Sequence, residues 1–107
     1  MFKKNLIVVG VLLLVAIFPA QVQAHTPLCA CYEGGDDTVI CEGGFSDGSS
    51  AAGVEVRVVD DDGKVVIKGK MDEFSEFVFD MPDGPFKIIF DAGPGHEIEI
   101  KGKEITE

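Results

Sequence analysis

Apolar and polar residues alternate with a period of two through most of the second half of this chain. Phe86, Ile88 and Phe90 alternate with Lys87, Ile89 and Asp91, the pattern of a strand with one buried face. Ala92-Gly93-Pro94-Gly95 must then leave the sheet, because Pro94 lacks a backbone donor and the glycines reach dihedrals that other residues avoid. Ile98 and Ile100, alternating with Glu97 and Glu99, resume a strand, so His96 sits where turn becomes strand. Val54, Val56 and Val58 alternate with Glu55 and Arg57, and Val65 to Lys70 returns as their partner after the acidic turn Asp60-Asp61-Asp62-Gly63. Phe77, Phe79 and Met81 form another alternating run, closed by Pro82-Asp83-Gly84-Pro85. Thr38 to Cys41 reads as a short first strand, preceded by a polar, glycine-bearing link over Tyr32 to Asp37. Gly43 to Gly53 reads as a small-residue crossover. No segment after residue 24 sustains helical periodicity. Six or seven short strands joined by glycine and proline turns define an all-β protein, a small antiparallel β-sandwich. The predicted core is Val54, Val56, Val58, Val66, Phe77, Phe79, Phe86, Ile88, Phe90, Ile98 and Ile100.

The start of the chain follows a different pattern. Lys3 and Lys4 precede an apolar run of 13 residues from Leu6 to Phe18, too short to span a bilayer comfortably. Pro19 breaks the run, and Val22-Gln23-Ala24 offers compact residues for cleavage. This is a secretory signal peptide over residues 1–24. An anchor left uncleaved from Leu6 to Ala24 is the alternative, against which Gln21 and Gln23 argue. Leu28 before Cys29 excludes a lipoprotein site. The expected organisation is a signal peptide (1–24), a cysteine-containing segment (25–37), the sandwich (38–101) and a polar tail (102–107), with the protein placed in the periplasm or outside the cell. Lys3 and Lys4 leave with the leader, so the formal charge of −10 becomes two units more negative. Such a surface repels nucleic acid and anionic lipid. No phosphate-binding or dinucleotide glycine motif is present, and no small-molecule substrate is implied.

Candidate chemistry is confined to a few residues. No catalytic set emerges: the serines of Ser46 to Ser50 lack a nucleophile context, and the chain is read as not an enzyme. Asp60, Asp61 and Asp62 lack the regular alternation of a calcium loop. Export permits disulfides, and the odd count of Cys29, Cys31 and Cys41 leaves one thiol over. A bond between Cys29 and Cys31 would close a very small ring. Cys41 therefore pairs with Cys29 or Cys31, or the three form a thiolate site for a soft ion such as Cu(I). Cleavage after Ala24 would expose His25, whose α-amino and imidazole nitrogens can chelate one ion. Pro27 removes an amide that a square-planar N-terminal site would use, so further ligands must come from elsewhere. The transition-metal candidates are thus His25, His96, Cys29, Cys31 and Cys41. Two imidazoles and an amine suit Cu(II) or Ni(II), whereas thiolates favour Cu(I) or Zn(II). Met71 and Met81 are possible soft ligands, Met81 having the phase of a packed strand residue.

With these residues placed, Gly53-Val54-Glu55-Val56-Arg57-Val58 followed by Asp62-Gly63-Lys64-Val65 resembles the start of a carboxypeptidase-regulatory-like, or transthyretin-like, sandwich. Met71-Asp72 to Phe77-Val78-Phe79 is similar to the family's next element, with Phe74-Ser75-Glu76 in place of its small-residue turn. The run Phe86 to His96, ending Gly93-Pro94-Gly95-His96, is similar to exported accessory proteins of energy-coupling-factor nickel and cobalt uptake systems. The resemblance implies a non-catalytic exported protein that captures nickel or cobalt for a membrane metal transporter, with His96 as a ligand; the donor set adds copper as the other ion. A structural or protein-interaction sandwich without a metal role is the alternative.

Overall fold

A computed structural model describes residues 26–105; the expected leader, its expected cleavage point and His25 lie outside the described residues. Seven strands follow in order: β1 (Pro27–Gly35), β2 (Thr38–Phe45), β3 (Glu55–Asp60), β4 (Val65–Lys70), β5 (Glu76–Asp80), β6 (Phe86–Asp91) and β7 (Glu97–Lys101). They form two antiparallel sheets, one ordered β1-β2-β5 and the other β4-β3-β6-β7. The chain crosses between sheets after β2, β4 and β5. Among the described residues no helix is long and apolar enough to cross a membrane.

The inner faces meet in one core of Val39, Cys41, Ala51, Val56, Val58, Met71, Phe79, Ile88 and Phe90. Val54, Phe77, Phe86, Ile98 and Ile100 pack around it half-buried. Val66 is a correction to the predicted core, being 46% exposed. A register shift between Val58 and Val59 places Val58 opposite Ile67 and Val59 opposite Val65. Ile67 therefore points inward and Val66 outward, since one residue of slip exchanges the two faces of a strand. Met71 is buried in the core rather than presented as a ligand, and Met81 packs against its margin.

Residues 27–35, expected as a segment outside the sandwich, are the edge strand β1. Its partner β2 runs on past Cys41 to Phe45. The two are joined through Asp36 and Asp37, both with positive φ (51° and 59°). Two consecutive left-handed residues make the tight turn that matches the twist of a hairpin, and aspartate tolerates that region better than most residues. Ile105, in the expected polar tail, packs back against the core after a short 3-10 turn over Gly102–Glu104.

Aromatic contacts fix how the sheets lie on one another. The Phe45 ring sits 6.3 Å from that of Phe90, and the Phe79 ring 6.2 Å from that of Phe86. Phe45 is paired with Pro27, and Phe90 with Ile98. The start of β1 and the start of β7 are therefore at the same end of the sandwich, and so are Thr26 and His96.

Candidate metal centre

The first of two candidate regions is built by the β1–β2 ladder. Cys29 and Cys31 are two residues apart on β1, so both side chains take its inward face while Leu28 and Ala30 are exposed. Cys41 stands directly opposite Cys31, and Cys29 stands opposite Gly43. The ladder thereby decides the pairing that the sequence leaves open. Cys31 and Cys41 have Cα atoms 4.0 Å apart and form a disulfide, and Cys29 keeps its thiol. All three Sγ atoms lie within 4.8 Å of one another. Burial pushes the Cys29 thiol up to about 11, because a thiolate between the sheets gives up its hydration.

Gly43 is required beside this cluster for steric reasons. A Cβ there would come 2.7 Å from the Phe90 ring, so the aromatic ring lies over the direct neighbour of Cys29. Among the described residues the group is therefore all-sulfur, and it is backed by the apolar core.

The second region is the turn between β6 and β7. The backbone of Ala92 donates to the His96 carbonyl at 3.1 Å, and that of His96 donates to the Gly93 carbonyl at 2.8 Å. Gly93 and Gly95 have φ of 117° and 77°, a region costly for residues with a Cβ. Asp91 anchors the turn at its base. One carboxylate oxygen accepts from the Gly93 amide at 2.9 Å and the other from Arg57 Nη1 at 2.8 Å. Arg57, the only arginine in the chain, also donates to Glu55 at 2.7 Å. These bonds, led by the guanidinium, hold the Asp91 carboxyl below its ordinary value. Sequence reasoning did not single out Arg57 or Asp91; a lone arginine with acidic neighbours on a strand is the signal that marks them.

His96 is exposed at the tip. Its Nδ1 lies 3.1 Å from the Pro94 carbonyl oxygen. A carbonyl can only accept, so Nδ1 carries the proton and the neutral imidazole keeps its lone pair on Nε2. Among the described residues the three cysteines form a close group that does not include His96. The acids around the turns have local roles as well: Asp60 Oδ1 accepts from the amides of Asp62 and Lys64, and Asp72 Oδ1 from those of Phe74 and Glu76. No protein family, curated protein or solved structure matches this chain.

Proposed function

We infer that the protein is an exported, non-enzymatic accessory protein that captures nickel or cobalt, with copper as the competing ion, for a membrane uptake system. The observation that carries this reading is the tautomer imposed on His96. The Pro94 carbonyl accepts a hydrogen bond from Nδ1–H, which leaves Nε2 of an exposed imidazole ready to ligate. Metal-bound histidines commonly use this arrangement, donating their other ring nitrogen to a carbonyl.

One imidazole holds a divalent ion weakly, so more donors are needed. His25 precedes Thr26, and Thr26 begins at the end of the sandwich that carries the His96 turn. With the leader removed at Ala24, His25 supplies an α-amine and a second imidazole. Nitrogen donors of this kind favour the order Co(II), Ni(II), Cu(II), weakest to tightest. The acidic surface attracts cations without choosing among them.

The test is a calorimetric titration with Ni(II), Co(II) and Cu(II) of three proteins: one beginning at His25, one with an extra residue before His25, and His96→Ala. One-to-one binding that weakens at least tenfold in both variants supports the reading. Weak binding that is equal in all three overturns it. That outcome favours an interaction module instead, a reading motivated by Phe74, whose side chain is 74% exposed at the tip of the β4–β5 connection.

A further inference from the structure

The cysteine group is a second site, independent of the histidine site, and it stands whether or not that one binds metal. We propose that Cys29, Cys31 and Cys41 form a Cu(I) site in the reduced protein, and that the Cys31–Cys41 disulfide is the closed state of that site.

Three observations carry the proposal. The first is convergence: three sulfur donors lie within 4.8 Å of one another, and their backbone positions are set by a ladder extending the length of β1. Opening the disulfide needs only side-chain rotation, because Cys31 and Cys41 remain opposite each other in that ladder. The second is the donor set. Among the described residues no carboxylate or imidazole belongs to the group. Structural Zn(II) sites call for four ligands, and Ni(II) and Co(II) prefer nitrogen and oxygen. Cu(I) is soft and is satisfied by two or three thiolates. The third is the surrounding shell. Cys41 is fully buried, and Cys29 and Cys31 pack against the apolar core, with the Phe90 ring against Gly43 next to Cys29. A low-coordinate monovalent ion suits such a poorly hydrated place, where a divalent ion would retain water.

The disulfide gives the site a gate. While it is closed, two of the three donors are consumed, and Cys29 alone holds an ion poorly. A dithiol reductant opens it: the two reductant thiols become a disulfide, and two electrons and two protons pass to the Cys31 and Cys41 sulfurs. Cu(I) then displaces protons from the thiols and keeps its oxidation state. Reoxidation of the pair to the disulfide by a disulfide-exchanging oxidant reverses the sequence and expels the ion. Metal occupancy thereby follows the thiol–disulfide poise of the compartment.

The test uses the exported protein with its own N-terminus, under anaerobic conditions, with Cu(I) supplied as its bicinchoninate complex. The protein is offered oxidised, reduced with a phosphine, and reduced as Cys29→Ala. Loss of chelator colour reports transfer, and far-ultraviolet circular dichroism follows the fold. The expected result is one Cu(I) per chain for the reduced protein, none for the oxidised protein, and affinity lower by at least about tenfold in reduced Cys29→Ala, since even outer partners of a metal site contribute that much. If reduction loosens the chain, Cu(I) should restore the β spectrum in the wild type and not in the variant. Equal transfer to oxidised and reduced protein, equal transfer to wild type and Cys29→Ala, no transfer to either, or Cu(I) binding to a reduced chain that stays unfolded would each overturn the proposal.

Discussion

The cysteine group and the His96 turn are made by opposite means. The cysteines are assembled by register: residues 29, 31 and 41 meet because a hairpin through Asp36 and Asp37 aligns two strands, and the facing sheet closes over them. The turn is assembled locally: residues 91 to 97 hold themselves through four backbone and side-chain bonds within seven residues, with Arg57 as a support from outside. The first site is therefore coupled to global stability, and the second is close to independent of it. A protein with both can vary the chemistry of its rim without risk to its core, whereas any change at the cysteines is felt by the whole fold.

The largest effect should come from the shell over the cysteines. Phe90→Ala removes a fully buried ring that touches Phe45 and covers Gly43, at a cost of about 3–5 kcal/mol; urea unfolding monitored by circular dichroism measures it. In a domain this small, a loss of that size leaves little folded protein. Replacing both Cys31 and Cys41 by alanine comes next. The disulfide closes a short loop, with a sequence separation of 10, and short loops restrain the unfolded chain least, so about 2–3 kcal/mol is expected by the same assay. A loss near zero would mean that the ladder alone aligns β1, and would weaken the contrast between the two regions.

Smaller effects should appear at the turn. Gly95→Ala forces a Cβ into a left-handed residue (φ 77°) and should cost about 1–2 kcal/mol. Because the strain falls on the residue before His96, metal affinity should drop as well, while the fraction of Cys29 that resists alkylation should not change. A Cys29 that becomes reactive in Gly95→Ala would show that the two regions are not independent.

How much of this was legible in the sequence also divides along that line. The alternation of β3, β6 and β7 and the Gly93-to-Gly95 turn are local patterns, and they appear where the residues predict them. β4 is different: Val65-Val66-Ile67 is a continuous apolar run in which the register shift leaves Val66 as the extra residue on β4 itself, and a run without alternation carries no phase of its own. β1 was hidden because Tyr32 to Asp37 is polar and because an edge strand need not alternate strongly; Asp36-Asp37 is the one hairpin cue, and aspartate pairs are common in loops. That Cys29 and Cys31 share a face follows from their spacing. Which of them meets Cys41 depends on strand register, which spacing cannot supply. The orientation of the His96 ring likewise depends on where the Pro94 carbonyl points.

The smallest effect is the most discriminating, and it concerns Asp91. Its carboxyl is held below the ordinary carboxylate value chiefly by Arg57, with help from the Gly93 amide. A group whose folded-state value is depressed stabilises the fold at pH above its unfolded value, and that contribution disappears as pH falls through the lower folded value. Asp91→Asn should therefore remove that contribution near neutrality and leave stability unchanged at low pH, where the aspartate would be protonated, so that the acid limb below about pH 5 becomes flatter; the loss is small because the salt bridge is partly solvated and such pairs contribute little. Urea midpoints across that range measure it. The asparagine can still accept from the Gly93 amide, so the turn keeps its shape and metal binding at neutral pH should persist. If metal binding instead collapses in Asp91→Asn with the acid limb unchanged, the carboxylate acts on the ion rather than on the turn, and the rim site draws on long-range charge as much as the cysteine group draws on register.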